Sequence, residues 1–290
     1  MRHKETRKLK VPIKRIKIDP KYIFLGLALW ALAILFLVPI YYMIVSTFKD
    51  AEAVTLHPFA LPTTLDLSKY FTAWEKMNYP RAFMNTFIIT ALSVFFSTMI
   101  AAIGAYAIVR YRSRFNKFVF ALVLSGMMIP GQVSLVSLYN LVRGLGLMDN
   151  IYGLVLINAG SCTVLPLFLI KSFISTTIPV ELEEASRIDG CNIYQTFFLV
   201  VLPLLKPVLA TVAIITTLGV WNDYLNPMLF LQSRENATIL QEINRNIGQF
   251  SVDWSGMFPM LVLGIAPLSI FYLLMQKHII SGVVTGAVKG

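Results

Sequence analysis

Charge is scarce in this sequence. Of 290 residues only 14% are Asp, Glu, Lys or Arg, against about a quarter in soluble domains. Cysteine is nearly absent: Cys162 lies in an apolar tract and Cys191 in a polar stretch, so no disulfide framework exists. The three histidines, His3, His57 and His278, lie far apart, and no metal-ligand spacing occurs. Nor do the apolar tracts hold a paired acid and base or an activated nucleophile, so no catalytic residue and no metal ligand is expected. The phosphate-loop pattern G-x-x-x-x-G-K-[ST] is missing, which excludes ATP binding by that route. No internal repeat is visible, which weighs against a secondary transporter built from paired repeats.

What is present is grease. Hydrophobic residues make up 57% of the chain, and mean hydropathy is +0.69. Asp, Glu, Lys and Arg are absent between Lys21 and Lys49, Arg81 and Arg110, Lys117 and Arg143, Asp149 and Lys171, and Asp253 and Lys277. A sixth tract, from Pro207 to near Leu231, carries only Asp223. Each suffices for a helix across a hydrocarbon core of about 30 Å, and continuous apolar tracts exclude alternating barrel strands. The fold class is therefore an all-α polytopic membrane protein. Its six transmembrane helices span approximately Tyr22–Ser46, Phe83–Val109, Phe118–Val142, Ile151–Phe173, Pro207–Leu231 and Gly256–Ile280.

With the N-terminus in the cytoplasm, eighteen of the 25 Lys and Arg residues fall inside, the bias that sets orientation. Both termini are then cytoplasmic. Residues 1–21 form a basic arm, 22–280 the six-helix domain and 281–290 a tail. The net charge of +10 reads as an arm suited to anionic headgroups, with no nucleic-acid partner, because no aromatic-interleaved basic fold follows it. The first tract is too long for a removable signal peptide, and no small-x-small cleavage pattern follows it. Residues 47–82, with three prolines, read as an irregular, partly helical outer loop.

Two places break the apolar rule. "VWNDYLNP" puts Trp221, Asn222, Asp223, Tyr224 and Asn226 together in the outer half of span five. An acid within a span costs about 2.5–3.5 kcal/mol on insertion scales, so it faces a bundle interior or a water-filled path more often than lipid. Two readings stay open: these residues line a translocation path, or Asp223 snorkels to the outer interface. "MMIPGQVSLVSLY" places Pro130 and Gly131 inside span three, a kink that suits a cavity.

The other polar island is "EEASRIDGCNIYQTFFLVVLPLLKP", from Glu183 to Pro207. At helical spacing Leu182, Ala185 and Ile188 share one face, and Glu181, Glu184 and Arg187 another. Pro179 starts this helix and Gly190 stops it, and Asn192 can cap a second helix leading to Leu202-Pro203. Glu181, Glu183 and Glu184 on the polar face would be repelled by anionic lipid, so a protein groove is the expected partner.

"EEASRIDG" followed by "LPLLKP" resembles the EAA signature of permease subunits of bacterial ABC importers. Glu184, Ala185, Gly190, Leu202 and Pro203 match, with Ser186 in place of the second alanine. "STFKDAEAV", "RAFMNTFIIT", "MMIPGQVSLVSLYNL", "GVWNDYLNPMLFL" and "ISGVVTGAVKG" extend the likeness over essentially the whole chain, towards carbohydrate permeases of the maltose-importer type. The resemblance implies the type I permease fold and a location in the bacterial cytoplasmic membrane. It implies a heterodimer with a second permease, two ATPase subunits and an extracytoplasmic sugar-binding protein. ATP and Mg would bind in the partner ATPase, and no cofactor in this subunit. It also implies a coupling loop at about 174–206, with Glu184, Ala185, Ser186, Asp189, Gly190, Leu202 and Pro203 docking into the ATPase. Val288, Lys289 and Gly290 of the tail would reach between the ATPase subunits. The implied cargo is a sugar or oligosaccharide. A polyol, a glycerol phosphate or an oligopeptide is the alternative.

Overall fold

The structure, a computed structural model, describes residues 20–247 and 254–287, with side chains placed as far as 276. In chain order come α1 (Pro20–Ser46), the outer helices α2 (Ala51–Leu56) and α3 (Ser68–Lys76), α4 (Tyr79–Arg110), α5 (Arg114–Gly126), α6 (Gly131–Gly144), α7 (Ile151–Ser161) and α8 (Val164–Thr177). Then follow α9 (Glu181–Ile188) and a segment made of α10 (Ile193–Gln195), a π-helical stretch (Thr196–Val201) and α11 (Leu202–Leu204). The chain continues with α12 (Lys206–Trp221), α13 (Leu225–Phe230), a 3-10 turn (Arg234–Asn236), α14 (Ile239–Asn246) and α15 (Trp254–Ala287). No strand occurs among the described residues.

Three helices, α1, α4 and α15, are long and apolar enough to cross a membrane alone. The count reaches six when each bent pair is one span. The pair α5–α6 bends by 104°, α7–α8 by 45°, and the segment Ile193–Leu204 meets α12 at 74°. Span three is thus two limbs rather than the kinked rod expected over Phe118–Val142. Pro130 takes ψ 127° and heads α6 without an N–H to give, and a proline disfavours the α region for the residue before it. Span five is also corrected: its helix ends at Trp221, ten residues before the expected Leu231, and α13 is separate. The last helix runs past Ile280 to Ala287. The predicted arm up to residue 19 and the tail contacts Val288, Lys289 and Gly290 lie outside the described residues.

Helix α4 is the spine. Its Ala101, Ala102 and Ala105 are wholly buried in one cluster with Leu167, Ile170 and Ile174 of α8, Val201, Leu205, and Val212 of α12. In lipid, helices gain little from burying grease, so close approach over small side chains and buried hydrogen bonds must hold them together. Asn158 of α7 supplies such a bond, donating to Ser93 Oγ of α4 at 3.2 Å.

At the other end, polar caps pin the outer loops. Asn85 Nδ2 donates to the Glu235 and Ala237 carbonyls at 2.9 and 3.0 Å, and Thr86 Oγ1 accepts from the Ile239 N–H at 3.0 Å. Glu242, buried on α14, is clasped by Arg245 at 2.6 Å and Arg234 at 3.2 Å.

Asp149, in the turn between α6 and α7, ties that turn to the loop after α13. Its Oδ1 accepts from the Gln232 N–H, the Ser233 N–H and the Ser233 hydroxyl at 2.9–3.0 Å. Burial pushes the carboxyl up, but hydrogen bonds from Ser233, Asn236 and Gln232 outweigh it and hold the group below its ordinary range. A depressed carboxylate contributes stability that is present above the unfolded pKa and lost as pH falls through the folded one. Asp149→Ala leaves these donors without their acceptor, a cost of about 1–3 kcal/mol. It should lower the melting temperature at pH 7, and the gap to wild type should narrow as pH falls below about 4, leaving the part due to alanine at the left-handed φ of 53°. Parallel melts across that range check both.

Candidate functional site

The site is α9 and its attachments. The helix starts two residues after Pro179, and its first turn carries Glu181, Glu183 and Glu184, where acids favour a helix N-terminus. It ends in a Schellman motif: the Gly190 N–H bonds the Arg187 carbonyl at 3.0 Å and the Cys191 N–H the Ser186 carbonyl at 3.0 Å. Gly190 takes φ +86°, the left-handed value this closure needs. Asn192 and Gln195 then form a reciprocal capping box, both bonds 2.9 Å. The expected design, two helices joined at a glycine with Asn192 as cap, is the one observed.

The expected faces need correction at Glu183. It is not part of an outward acidic face but is 2% exposed. Arg110 Nε at the end of α4 donates to Glu183 Oε1 at 2.6 Å, and Tyr106 donates its hydroxyl proton to Oε2 at 2.9 Å. Arg110 also donates to the Ile178 carbonyl, where α8 ends, at 2.8 Å. A carboxylate leaving water needs this pairing, because an unpaired buried charge costs several kcal/mol. Three helix ends therefore meet on one ion pair.

Ser186, one turn along, is buried as well. It donates to the Glu183 carbonyl at 2.8 Å, and its oxygen lies 2.9 Å from Thr196 Oγ1 of the π-helical stretch. The alanine-to-serine difference from the signature thus adds an interhelical bond. In that stretch the Leu202 N–H reaches back five residues to Phe197. Pro203, which has no N–H, follows directly and precludes a regular ladder. Leu202 and Pro203 therefore sit at the wide turn just before the 74° bend.

The opposite side of α9 is free. Leu182, Glu184, Ala185, Arg187 and Asp189 are exposed, and Ile188 is 87% exposed. Val180, Ile193 and Tyr194 extend this apolar surface. An exposed apolar ridge with Glu184 and Asp189 beside it suits a protein groove edged by basic residues.

The span-five cluster is divided. Trp221 is buried in a core with Tyr79, Met77 and Ile239, its ring 6.2 Å from that of Phe83. It also lines a cavity of about 330 Å³ with Phe83, Phe87 and Phe271. Asp223 accepts from the Asn226 N–H at 3.2 Å and from its amide at 2.7 Å, closing the start of α13. Tyr224 donates to Asn244 Oδ1 at 2.9 Å. The Asn222 amide donates to the Leu218 carbonyl of its own helix at 2.9 Å and stays exposed. The sequence groups all five as candidates for one path or an outer interface; the break after Trp221 pairs Asp223 with Asn226 and gives Trp221, Asn222 and Tyr224 settings of their own. Arg110 and Tyr106 were missed altogether. Their only sequence signals were the basic helix end and the tyrosine one turn before it.

Helix order and bends are those of a multi-pass membrane protein that presents one exposed helix, α9. A solved bacterial ABC transporter involved in the import of the acidic polysaccharide alginate matches with a TM-score of 0.79 at 25% identity, over 92% of this chain and 99% of that one. Residues 93–285 match the model of the binding-protein-dependent transport system inner membrane component, and the chain belongs to that family. The melibiose/raffinose/stachyose import permease protein MelC of Bacillus subtilis is 33% identical, over 86% of this chain and 91% of that one. The multiple sugar-binding transport system permease protein MsmG of Streptococcus mutans is 34% identical, over 93% and 96%.

Proposed function

We propose that this chain is one of two permeases in an ATP-driven importer for a sugar or oligosaccharide, with α9 as its coupling element. The observation that carries the coupling role is the buried Glu183–Arg110–Tyr106 cluster. It makes α9 and the inner end of α4 one mechanical unit, while the ridge of Leu182, Ala185 and Ile188 stays open to a partner. In this reading ATP draws two ATPase subunits together, each carrying a coupling helix. The pull on α9 passes through the ion pair to α4 and from there to α8 and α12, which pack on it. An extracytoplasmic binding protein acts from the other face. ATP and the binding protein shift one equilibrium between inward- and outward-open states through their different affinities for the two, so their effects are reciprocal. ATP and Mg belong to the partner. Sugar as cargo rests on the named activities of the relatives.

Reconstitution of the complex with a panel of labelled oligosaccharides tests the reading. Accumulation of at least one sugar, with hydrolysis stimulated by its binding protein, is expected. Uptake of a polyol, a glycerol phosphate or an oligopeptide, and of no sugar, would overturn the cargo assignment.

For the path, cysteines replace Asn222 and Asn226 in a cysteine-free background. Asn222→Cys, at an exposed helix end, should react with a water-soluble thiol reagent in the outward-open state. Asn226→Cys, half-buried against Asp223, should react more slowly. Inertness of both in every nucleotide state would make this region packing rather than path.

A further inference from the structure

The structure carries a second charged feature, away from α9. Helix α8 bears a single ionisable residue, Lys171. It lies six residues before the helix end at Thr177, about 9 Å along the axis at 1.5 Å per residue. A cation at that depth stands near the boundary between acyl chains and headgroups, and an ionisable residue within a span points to function before packing. Its ammonium sits 4.4 Å from the centre of the Phe120 ring of α5. That contact orients the charge without neutralising it.

Lys171 opens into a cleft of about 310 Å³ between the ends of α4, α5 and α8, together with Arg112 and Lys117. Among the described residues no acid lines this cleft, and none of their ion pairs involves any of the three cations. The one buried acid of the inner surface, Glu183, is already bonded to Arg110. Asn116 stiffens the rim by donating to the Tyr111 carbonyl at 2.5 Å, while Ile108, Val109 and Phe120 supply an apolar wall. Three cations with no acidic partner among the described residues thus stand beside an apolar wall at the inner end of the spans.

We propose that this cleft binds the headgroup of an anionic phospholipid, with Arg112, Lys117 and Lys171 on the phosphate and the Ile108–Val109–Phe120 wall against the first methylenes. A lipid fits better than a free phosphate because the wall continues the site along the bilayer. Basic pockets between transmembrane helices on the cytoplasmic side recognise headgroups in this manner. The site is independent of the cargo and of the coupling role of α9.

The test uses the complete transporter in nanodiscs of phosphatidylcholine, titrated with phosphatidylglycerol and read by native mass spectrometry and by competition with a fluorescent phosphatidylglycerol. Wild type should retain phosphatidylglycerol in preference to phosphatidylcholine. Each of Arg112→Gln, Lys117→Gln and Lys171→Gln should weaken retention about fivefold, and the triple variant should abolish the preference. Lys171→Arg, which keeps the charge, should keep the preference, so a triple variant that fails to assemble leaves the proposal testable. Equal retention of the two lipids by wild type, or an unchanged preference in the triple variant, would overturn it. Full displacement by millimolar inorganic phosphate would assign the cleft to free phosphate instead. Loss of a partner subunit from the triple variant with lipid retention intact would make it a protein contact; either result ends the lipid reading.

Discussion

Glu183→Ala is expected to leave the chain in the membrane yet abolish the stimulation of ATP hydrolysis by the binding protein. The substitution strands Arg110, a guanidinium whose side chain is only 11% exposed, and removes the acceptor of the Tyr106 hydroxyl. Removing one partner of a buried pair costs about 3–5 kcal/mol, chiefly because a charge remains without compensation. The loss falls on the joint between α9 and α4 rather than on the apolar contacts of the spans, so insertion should survive. Glu183→Gln separates geometry from charge. Its amide oxygen still accepts from Arg110 and its amide nitrogen can face the Tyr106 oxygen, so coupling should fall less far than with alanine. Arg110→Leu with Glu183→Leu should recover much of the stability, since apolar side chains of similar volume replace buried ion pairs at little cost. Coupling should recover only in part, because the bond from Arg110 to the Ile178 carbonyl is lost as well. Melting temperature, copurification with the ATPase and stimulated hydrolysis distinguish these outcomes. Wild-type stimulation in Glu183→Ala would remove the ion pair from the coupling route.

What was legible in advance follows from the range over which each rule acts. Apolar tracts fix the number of spans because every residue reports on its own solvent. The two-helix loop was legible because Gly190, Asn192 and Gln195 act within one or two turns. Glu183 was misplaced because its partner lies 73 positions away, and a helical wheel cannot tell a glutamate facing solvent from one facing an arginine of another helix. The same limit hid Asp149, which bonds residues 83 and 84 positions downstream. The sequence predicts span five ten residues longer than the observed helix because Leu225–Leu231 is greasy enough to continue it. The chain breaks there instead, since Asn222 and Asp223 can bond the backbone locally and Asp223 with Asn226 starts a new turn. In span three Pro130 signalled a kink, but the 104° between its limbs depends on what each limb packs against.

Substitutions at Gly190 should rank by their tolerance of a left-handed backbone rather than by size. A Cβ added there meets no atom within 4 Å, so space is not the constraint; φ of +86° is. Asparagine visits that region most readily, alanine pays about 1–2 kcal/mol for it, and a β-branched valine more. Proline is the extreme case. It locks φ near −65° and removes the N–H that bonds the Arg187 carbonyl, so the Schellman closure cannot form. Coupling should therefore decline from Gly190→Asn through Gly190→Ala and Gly190→Val to Gly190→Pro. Alanine would lose about tenfold in stimulated hydrolysis if the strain is relieved by re-aiming α9, and proline would lose all of it. The melting temperature should fall modestly in the same order, since each substitution adds backbone strain without a clash, while the ion pair of Glu183 still holds the other end of the helix. Stimulated hydrolysis and uptake, measured on the four variants at matched membrane levels, check the ranking. A decline that followed side-chain volume, with valine worse than proline, would mean that the ATPase packs directly on Gly190 and that the turn itself is not the requirement.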